Sequence, residues 1–417
     1  MDGGISMEYG LIGKSLCHSF SPEIHRLFGG YRYELCELAP EELDDFFRRR
    51  GFCGINVTVP YKEAVLKYLD WISPEAAAIG SVNAIVNMDG RLCGYNTDFF
   101  GLCALIEHTN IHLEHRNVLV FGTGGTSRTA AAVCGHLGAG SVLKVSRTPQ
   151  NGAVSYEQAA KMAETEVIIN TTPVGMFPNC GESPMDISAF PNLCGVIDAV
   201  YNPLRTGLVL KAQEMGIAAQ GGLYMLVAQA AEASWLFTGK QVSAEETERA
   251  YKVVLRQKEN IVLIGMPTAG KSTVGRIAAE KLGKSFFDSD ELSAAIGGKS
   301  IAGMFEQGGE KAFRSVERRA IALLSQQRGA VIATGGGTVL DESNMAALRQ
   351  SGRIYYLERP LAALSADGMH PLSKTPEQLA ALFAERTPLY EKYCDVKISA
   401  CGSAAEAAAA ILGDFLK

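Results

Sequence analysis

The chain has 417 residues, longer than one hydrophobic core ordinarily spans, so two or three domains are expected. Hydrophobic residues at 47% and charged residues at 20% describe an ordinary globular chain, neither disordered nor membrane-embedded. A net charge of −6 argues against a nucleic-acid footprint, so any anionic ligand must be held by local groups.

The opening MDGGISMEYG carries acids and glycines where a secretory leader needs a basic start and an apolar stretch, and no apolar run is long enough to span a bilayer. A cytoplasmic protein with no membrane partner is the expectation, with Met7 readable as a second start. The ten cysteines run from Cys17 to Cys401 without a CxxC pair, which fits reduced thiols better than disulfides or zinc. His108, His112 and His115 have the spacing of metal ligands on one helix face but sit in a polar segment before a strand, where a solvated loop is the plainer reading. Oligomeric state is left open.

In chain order, short apolar strands at Tyr9–Ile12, Gly54–Val59 and Ala84–Val86 alternate with amphipathic segments such as Glu41–Arg50, an α/β pattern. A βαβ unit follows: strand Asn117–Phe121, the turn Gly122-Thr-Gly124-Gly125, a helix over Thr129–Leu137 and strand Ser141–Val145. Strands at Val167–Asn170 and Gly195–Ala199 extend it toward a doubly wound sheet, and the helical stretch Gly222–Phe237 is placed to return to the first domain. Ser243 and Glu246 form a capping box for a charged helix running to about Lys258, and strand Ile261–Ile264 opens a new unit. The boundary therefore lies within Arg256–Asn260, in a stiff helical connection. The domains expected are 7–100 with return helices at about 222–255, then 101–221, then 260–417.

Gly122, Gly124 and Gly125 after a strand offer the tight turn and close backbone approach that a pyrophosphate needs at a helix N-terminus, although a purely structural glycine turn reads similarly. After the second strand the chain has Ser146-Arg147-Thr148 rather than an acid, which favours a 2′-phosphate and hence NADP(H), with Arg128 as a second candidate cation. Further segments, His18-Ser19-Phe20-Ser21-Pro22, Asn56-Val-Thr58-Val-Pro60-Tyr-Lys62, Gly80-Ser-Val-Asn83 and Gly94-Tyr-Asn-Thr-Asp98, stand in the order found in shikimate dehydrogenases, which residues 7 to about 240 resemble. The resemblance implies that Ser19 and Ser21 bind the substrate carboxylate with Tyr201 nearby. It also implies that Thr58, Asn83 and Gln229 bind ring hydroxyls, and that Lys62 and Asp98 form a catalytic pair. Departures are Cys17 before the histidine, Thr123 and Thr126 in the glycine turn, and Ser146. The chemistry agrees with the carry-over: reducing the ketone of 3-dehydroshikimate puts negative charge on its oxygen, where an ammonium such as Lys62 can donate a proton.

Gly265-Met-Pro-Thr-Ala-Gly270-Lys271-Ser272 follows a strand and precedes a helical pattern, the context of a Walker A phosphate loop for ATP. Gly265, Ala269, Gly270, Lys271 and Thr273 would cradle phosphates while Ser272 ligates Mg2+. Asp288-Ser-Asp290, Gly309-Glu310…Arg314…Glu317 and the triple glycine Gly335-Gly336-Gly337 resemble shikimate kinases over residues 260–398. By that resemblance Asp288 helps hold magnesium, Asp290 contacts the acceptor hydroxyl as a base, and Arg314 and Arg386 bind the shikimate carboxylate beside the triple glycine. One departure weakens the likeness: His370, in Met369-His370-Pro371-Leu372, stands where the family's lid carries an arginine over the nucleotide.

The expected fold is thus an α/β substrate domain and a Rossmann NADP-binding domain, followed by a three-layer P-loop kinase domain with a parallel sheet. The expected function is bifunctional: NADPH-dependent reduction of 3-dehydroshikimate to shikimate, then ATP-dependent phosphorylation of shikimate. Alternatives are an active dehydrogenase fused to a kinase domain that only binds, a sensor that has lost both chemistries, and a quinate-preferring dehydrogenase, which the paired serines disfavour.

Overall fold

The structure is a computed structural model that describes residues 7–16, 19–365, 372 and 375–417. Residues 1–254 and 255–417 form two compact units. No helix among the described residues is long and apolar enough to cross a membrane.

The first unit opens with six strands: β1 (Tyr9–Gly13), β2 (Tyr33–Glu37), β3 (Gly54–Val57), β4 (Trp71–Ile72), β5 (Ala84–Met88) and β6 (Arg91–Tyr95). They form one sheet in the order β2-β1-β3-β5-β6-β4. β1 lies parallel to β2 and β3, whereas β5 runs antiparallel to β3 and β6. β3 ends at Val57, two residues before the expected end at Val59. Thr58 donates its N–H to Ile12, and Pro60, with no N–H, cannot continue a ladder, so Thr58 and Lys62 leave the sheet in a turn. The amphipathic segment Glu41–Arg50 lies in a 3-10 turn at Pro40–Glu42 followed by a helix at Leu43–Arg49.

A second sheet follows: β7 (Asn117–Phe121), β8 (Ser141–Val145), β9 (Val167–Asn170), β10 (Gly195–Asp198) and β11 (Ala218–Gln220), all parallel in the order β11-β10-β9-β7-β8. It is buried on both faces, Val118, Val120 and Ile169 packing to one side and Leu119, Phe121 and Ile168 to the other, the alternation a helix-covered parallel sheet demands. β8 lies on one side of β7 and β9 on the other, so the chain reverses direction across the sheet at β7, and a crevice opens at the carboxyl end of that strand. The helix after the glycine turn begins at Gly125, four residues earlier than the composition implied.

The long apolar helix Leu223–Thr238 does return to the first sheet, where Phe237 stacks on Tyr9 with ring centroids 5.7 Å apart. It also packs closely against helix Thr97–His108. A Cβ at Gly101 would stand 2.7 Å from the Met225 carbonyl, so only glycine admits this approach.

The second unit has β12 (Asn260–Ile264), β13 (Ser285–Asp288), β14 (Ala330–Ala333), β15 (Gly352–Glu358) and β16 (Val396–Ser399), all parallel in the order β13-β14-β12-β15-β16. Val262, Ile264, Ile332 and Tyr356 fill one face, and Ile261, Leu263, Val331 and Tyr355 the other. Helix Lys271–Leu282 starts at the carboxyl end of the central strand β12. Gly309 at φ +68 interrupts helix Ile301–Leu324, so Glu310, Arg314 and Glu317 belong to a restarted helix that turns one face inward.

Candidate active sites

In the first unit, the turn after β3 and the first turn of helix Thr97–His108 bring Lys62 Nζ to 2.5 Å from Asp98 Oδ2. The carboxylate is buried and the ammonium nearly so, with side-chain exposures of 4% and 17%. Asn96 caps this helix, its Oδ1 accepting from Phe99 N–H, and thereby fixes Asp98 one residue after the opening Thr97. Asn83 lies at the centre of the site: its Oδ1 accepts from Thr97 N–H (2.6 Å), and its Nδ2 donates to Thr97 Oγ1 (3.1 Å) and Gln229 Oε1 (3.0 Å). Behind it, Tyr33 donates to Asn56 Oδ1 (2.7 Å) and Asn56 Nδ2 to the Asn83 carbonyl (3.1 Å), a buried chain that holds the amide in place. Ser21 N–H and the Ser19 hydroxyl meet at 3.2 Å, and between them Phe20 makes an edge contact with Tyr201 at 5.3 Å. The Lys62–Asp98 pair and the Asn83–Gln229 pair thus meet at the first turn of helix Thr97–His108, where Asn83 binds Thr97 and Asp98 follows it, with Thr58 in the turn that carries Lys62; Ser19, Ser21 and Tyr201 form a second group.

At the carboxyl end of β7, Gly122 adopts φ +109 with its carbonyl held by the Ser127 hydroxyl (2.6 Å). Gly124 is an N-cap without a side chain, which leaves the helix's first amides for a ligand. Facing them, the buried Ser81 Oγ has no hydrogen-bond partner among the described residues and would sit 3.2 Å from a Cβ at Gly125. Ser146 Oγ accepts from Thr148 N–H at 3.2 Å, and Arg147 between them is exposed.

In the second unit, Gly270 at φ +92 caps helix Lys271–Leu282. The buried Lys271 donates from Nζ to the carbonyls of Gly265 and Met266, each at 2.9 Å. Ser272 Oγ donates to Asp288 Oδ2 (2.6 Å), and Asp288 Oδ1 caps Asp290 N–H (2.9 Å). Each residue of the triple glycine is approached by another part of the site. A Cβ at Gly335 would be 2.5 Å from Asp290 Oδ1, one at Gly336 2.7 Å from the Pro267 ring, and one at Gly337 would run into the Arg314 guanidinium. Tyr390 donates to the Gly336 carbonyl at 2.5 Å. One helical turn before it, Arg386 is 3% exposed, and its Nε has no hydrogen-bond partner among the described residues.

Residues 11–85 match the family model "Shikimate dehydrogenase substrate binding domain", and residues 267–416 the model "Shikimate kinase". A shikimate dehydrogenase (NADP(+)) of Symbiobacterium thermophilum is 35% identical over 251 residues, covering 53% of this chain and 85% of the relative. The chain belongs to the shikimate dehydrogenase family. A second dehydrogenase of that family, from Geobacillus kaustophilus, is 38% identical over 255 residues, 56% of this chain and 92% of its own. The solved shikimate 5-dehydrogenase of Thermus thermophilus, in complex with NADP(H) and shikimate, shares 33% identity with a TM-score of 0.55, covering 59% of this chain and 99% of that one. A chorismate mutase/shikimate 5-dehydrogenase fusion from Clostridium acetobutylicum shares 32% (TM-score 0.57; 60% and 97% covered). A quinate dehydrogenase from Corynebacterium glutamicum shares 27% (TM-score 0.53; 60% and 99% covered).

Within this dehydrogenase unit, Arg128 stays beside the glycine turn, its Nη2 3.9 Å from a Cβ at Gly125, but it is not the unpartnered cation that the sequence implied. Its Nε donates to the Ile79 carbonyl (3.0 Å) and its Nη2 lies 2.6 Å from Glu63 Oε1, so the guanidinium reaches the first sheet's side of the cleft. The C-terminal carbonyls of helix Pro74–Ile79 and a carboxylate outcompete solvent for it. His108 is no loop residue either: it ends helix Thr97–His108, stacks on Tyr224 at 3.9 Å and faces Glu248 at 3.4 Å. In the kinase-like unit Arg314 is bound by Glu317 (2.7 Å) and Glu310 (2.8 Å). Glu317, 1% exposed and also accepting from Thr338 Oγ1 (2.9 Å), went unassigned in the sequence, although its place three residues after Arg314 puts it on the same helix face. Ser289, whose hydroxyl accepts from Gly335 N–H at 2.8 Å, left no sequence signal. His370 lies outside the described residues.

Proposed function

We propose that the chain catalyses two consecutive reactions, NADPH-dependent reduction of 3-dehydroshikimate to shikimate in residues 7–254 and ATP-dependent phosphorylation of shikimate in residues 260–417. The observation that carries the reading is the Lys62–Asp98 pair at 2.5 Å, beside the Asn83–Gln229 pair that is tied to Thr97, the residue before Asp98. The first unit divides, in this reading, into a substrate domain of 7–100 with return helices at about 222–255 and a cofactor domain of 101–221.

The glycine turn, the uncapped helix start and the unpartnered Ser81 hydroxyl fit a dinucleotide, with Arg147 beside its 2′-phosphate. NADPH, when bound, supplies the hydride. Negative charge then grows on the ketone oxygen, where Lys62 donates a hydrogen bond and then a proton, while Asp98 holds the ammonium in line. Thr58, Asn83 and Gln229 hold ring hydroxyls, and Ser19, Ser21 and Tyr201 the carboxylate, so the ring is presented in one orientation.

In the second unit, the helix start at Gly270, an N-cap with no side chain, together with Lys271 and the Ser272–Asp288 pair, fits a nucleotide with magnesium. Mg·ATP supplies the phosphoryl group. Asp290 accepts the proton of the acceptor hydroxyl, and the forks of Arg314 and Arg386 fix the shikimate carboxylate against the triple glycine. None of the nine described cysteines is joined in a disulfide, which supports a reducing, cytoplasmic compartment. The purified chain tests the proposal: it should oxidise NADPH with 3-dehydroshikimate and transfer phosphate to shikimate. Hydride transfer without phosphoryl transfer would favour the binding-only kinase that His370 raises, and faster turnover with quinate would move the first unit to the other substrate.

A further inference from the structure

Both tryptophans of the chain, Trp71 and Trp235, stand at one region of the first unit, exposed at 39% and 43%. They border two cavities of about 470 Å³ each that share Phe100, Glu232 and Trp235 as a common wall. One cavity lies between helices Thr97–His108 and Leu223–Thr238 and reaches Tyr224, and the other is bounded by Trp71, Tyr95 and Gly239. Large exposed aromatics gathered around a concavity of this size mark a ligand site more often than bare surface.

The electrostatics select the ligand's charge. Among the described residues no lysine or arginine lines either cavity, whereas Glu75, Glu107 and Glu232 do. Glu232, in the shared wall, has no ion pair or hydrogen bond among the described residues, and burial alone pushes its carboxyl above the usual range. Gly239 is the C-cap of helix Leu223–Thr238, so the carbonyl end of a helix adds negative potential. The two helix starts at the second cavity offer an anion little, because Ser73 Oγ already accepts from Ala76 N–H and Asn96 Oδ1 from Phe99 N–H. His108, the one histidine present, is taken up by Tyr224 and Glu248.

We propose that the second of these cavities binds a small organic cation, an alkylated ammonium held by the rings of Trp71, Phe100 and Trp235 and by the Glu232 carboxylate. Aromatic faces and a desolvated carboxylate are together what distinguish an ammonium from its neutral isostere.

Because the chain has no other tryptophan, its intrinsic fluorescence reports on these cavities directly. The test titrates the full chain with choline and with its uncharged carbon isostere 3,3-dimethylbutan-1-ol at matched ionic strength. Choline should give a saturable change with a Kd at least about tenfold below that of the alcohol, and Glu232→Gln should bring the two together. Unchanged dehydrogenase rates in Glu232→Gln would show that the variant is folded. A response to choline that never saturates, equal affinities for the two compounds in the native chain, or an undiminished difference in Glu232→Gln would each overturn the proposal.

Discussion

Nucleotide binding to the second unit should take up a proton, and the size of the uptake follows from Lys271. Its ammonium is buried and bonded to two carbonyls, and burial lowers its pKa from 10.5 to about 8, with Asp290 and Asp288 opposing and Arg386 reinforcing the shift. A lysine with that pKa is about three-quarters neutral at about pH 8.5 and about one-tenth neutral at about pH 7. Phosphates beside it favour the ammonium and raise the pKa again, so Mg·ADP binding should take up about 0.75 proton at the higher pH and about 0.1 at the lower. With the bound pKa above the free one, affinity falls as pH rises through about 8, the pKa of the free site. Calorimetry in buffers of different ionisation enthalpy reads the uptake as the slope of heat against that enthalpy. Lys271→Arg keeps a charge at every pH used and should remove the slope. No slope at the higher pH in the native chain, or the same slope in Lys271→Arg, would refute the assignment of Lys271 to the phosphates.

Other variants separate neighbouring roles. Arg147→Ala should raise KM for NADPH by about tenfold or more while barely changing KM for NADH, whereas Arg128→Ala, bound to Glu63 and the Ile79 carbonyl, should affect both cofactors alike. Gly337→Ala puts a methyl group into the Arg314 guanidinium and should raise KM for shikimate at least about tenfold with little change in nucleotide affinity, so equal losses of both would place Arg314 elsewhere. His370→Arg should raise kinase kcat more at about pH 8 than at about pH 6, since an unperturbed histidine is mostly neutral at the higher value. Constant relative rates across that range would remove His370 from the phosphates.

The parts of the fold legible in the sequence were those written in local pattern. β7, β8 and β9 fall on their expected residues because each is a short apolar run with glycine or polar punctuation, and Ser243 and Glu246 form the reciprocal cap read from their spacing. Where backbone chemistry competes with composition the reading slipped: Pro60 ends β3 early, and Gly309 breaks a helix whose surrounding sequence is helix-forming. The site residues were legible as ordered segments, but their mutual geometry was not. Arg128 follows the cofactor turn in sequence, and nothing local reveals that Glu63, 65 residues earlier, faces it across the cleft. The Tyr33–Asn56–Asn83 chain likewise joins β2, β3 and the bend before β5 through contacts that no periodicity encodes.

The central claim, two separate chemistries on one chain, is tested most directly by Lys62→Ala and Lys271→Ala, each assayed for both reactions. Lys62→Ala should lower the dehydrogenase kcat by about 10²–10⁴ and leave phosphoryl transfer intact, because the proton it donates is used in only one transition state. Lys271→Ala should abolish phosphoryl transfer and spare hydride transfer. Normal hydride transfer in the first variant, normal phosphoryl transfer in the second, or loss of both activities in either would contradict the account.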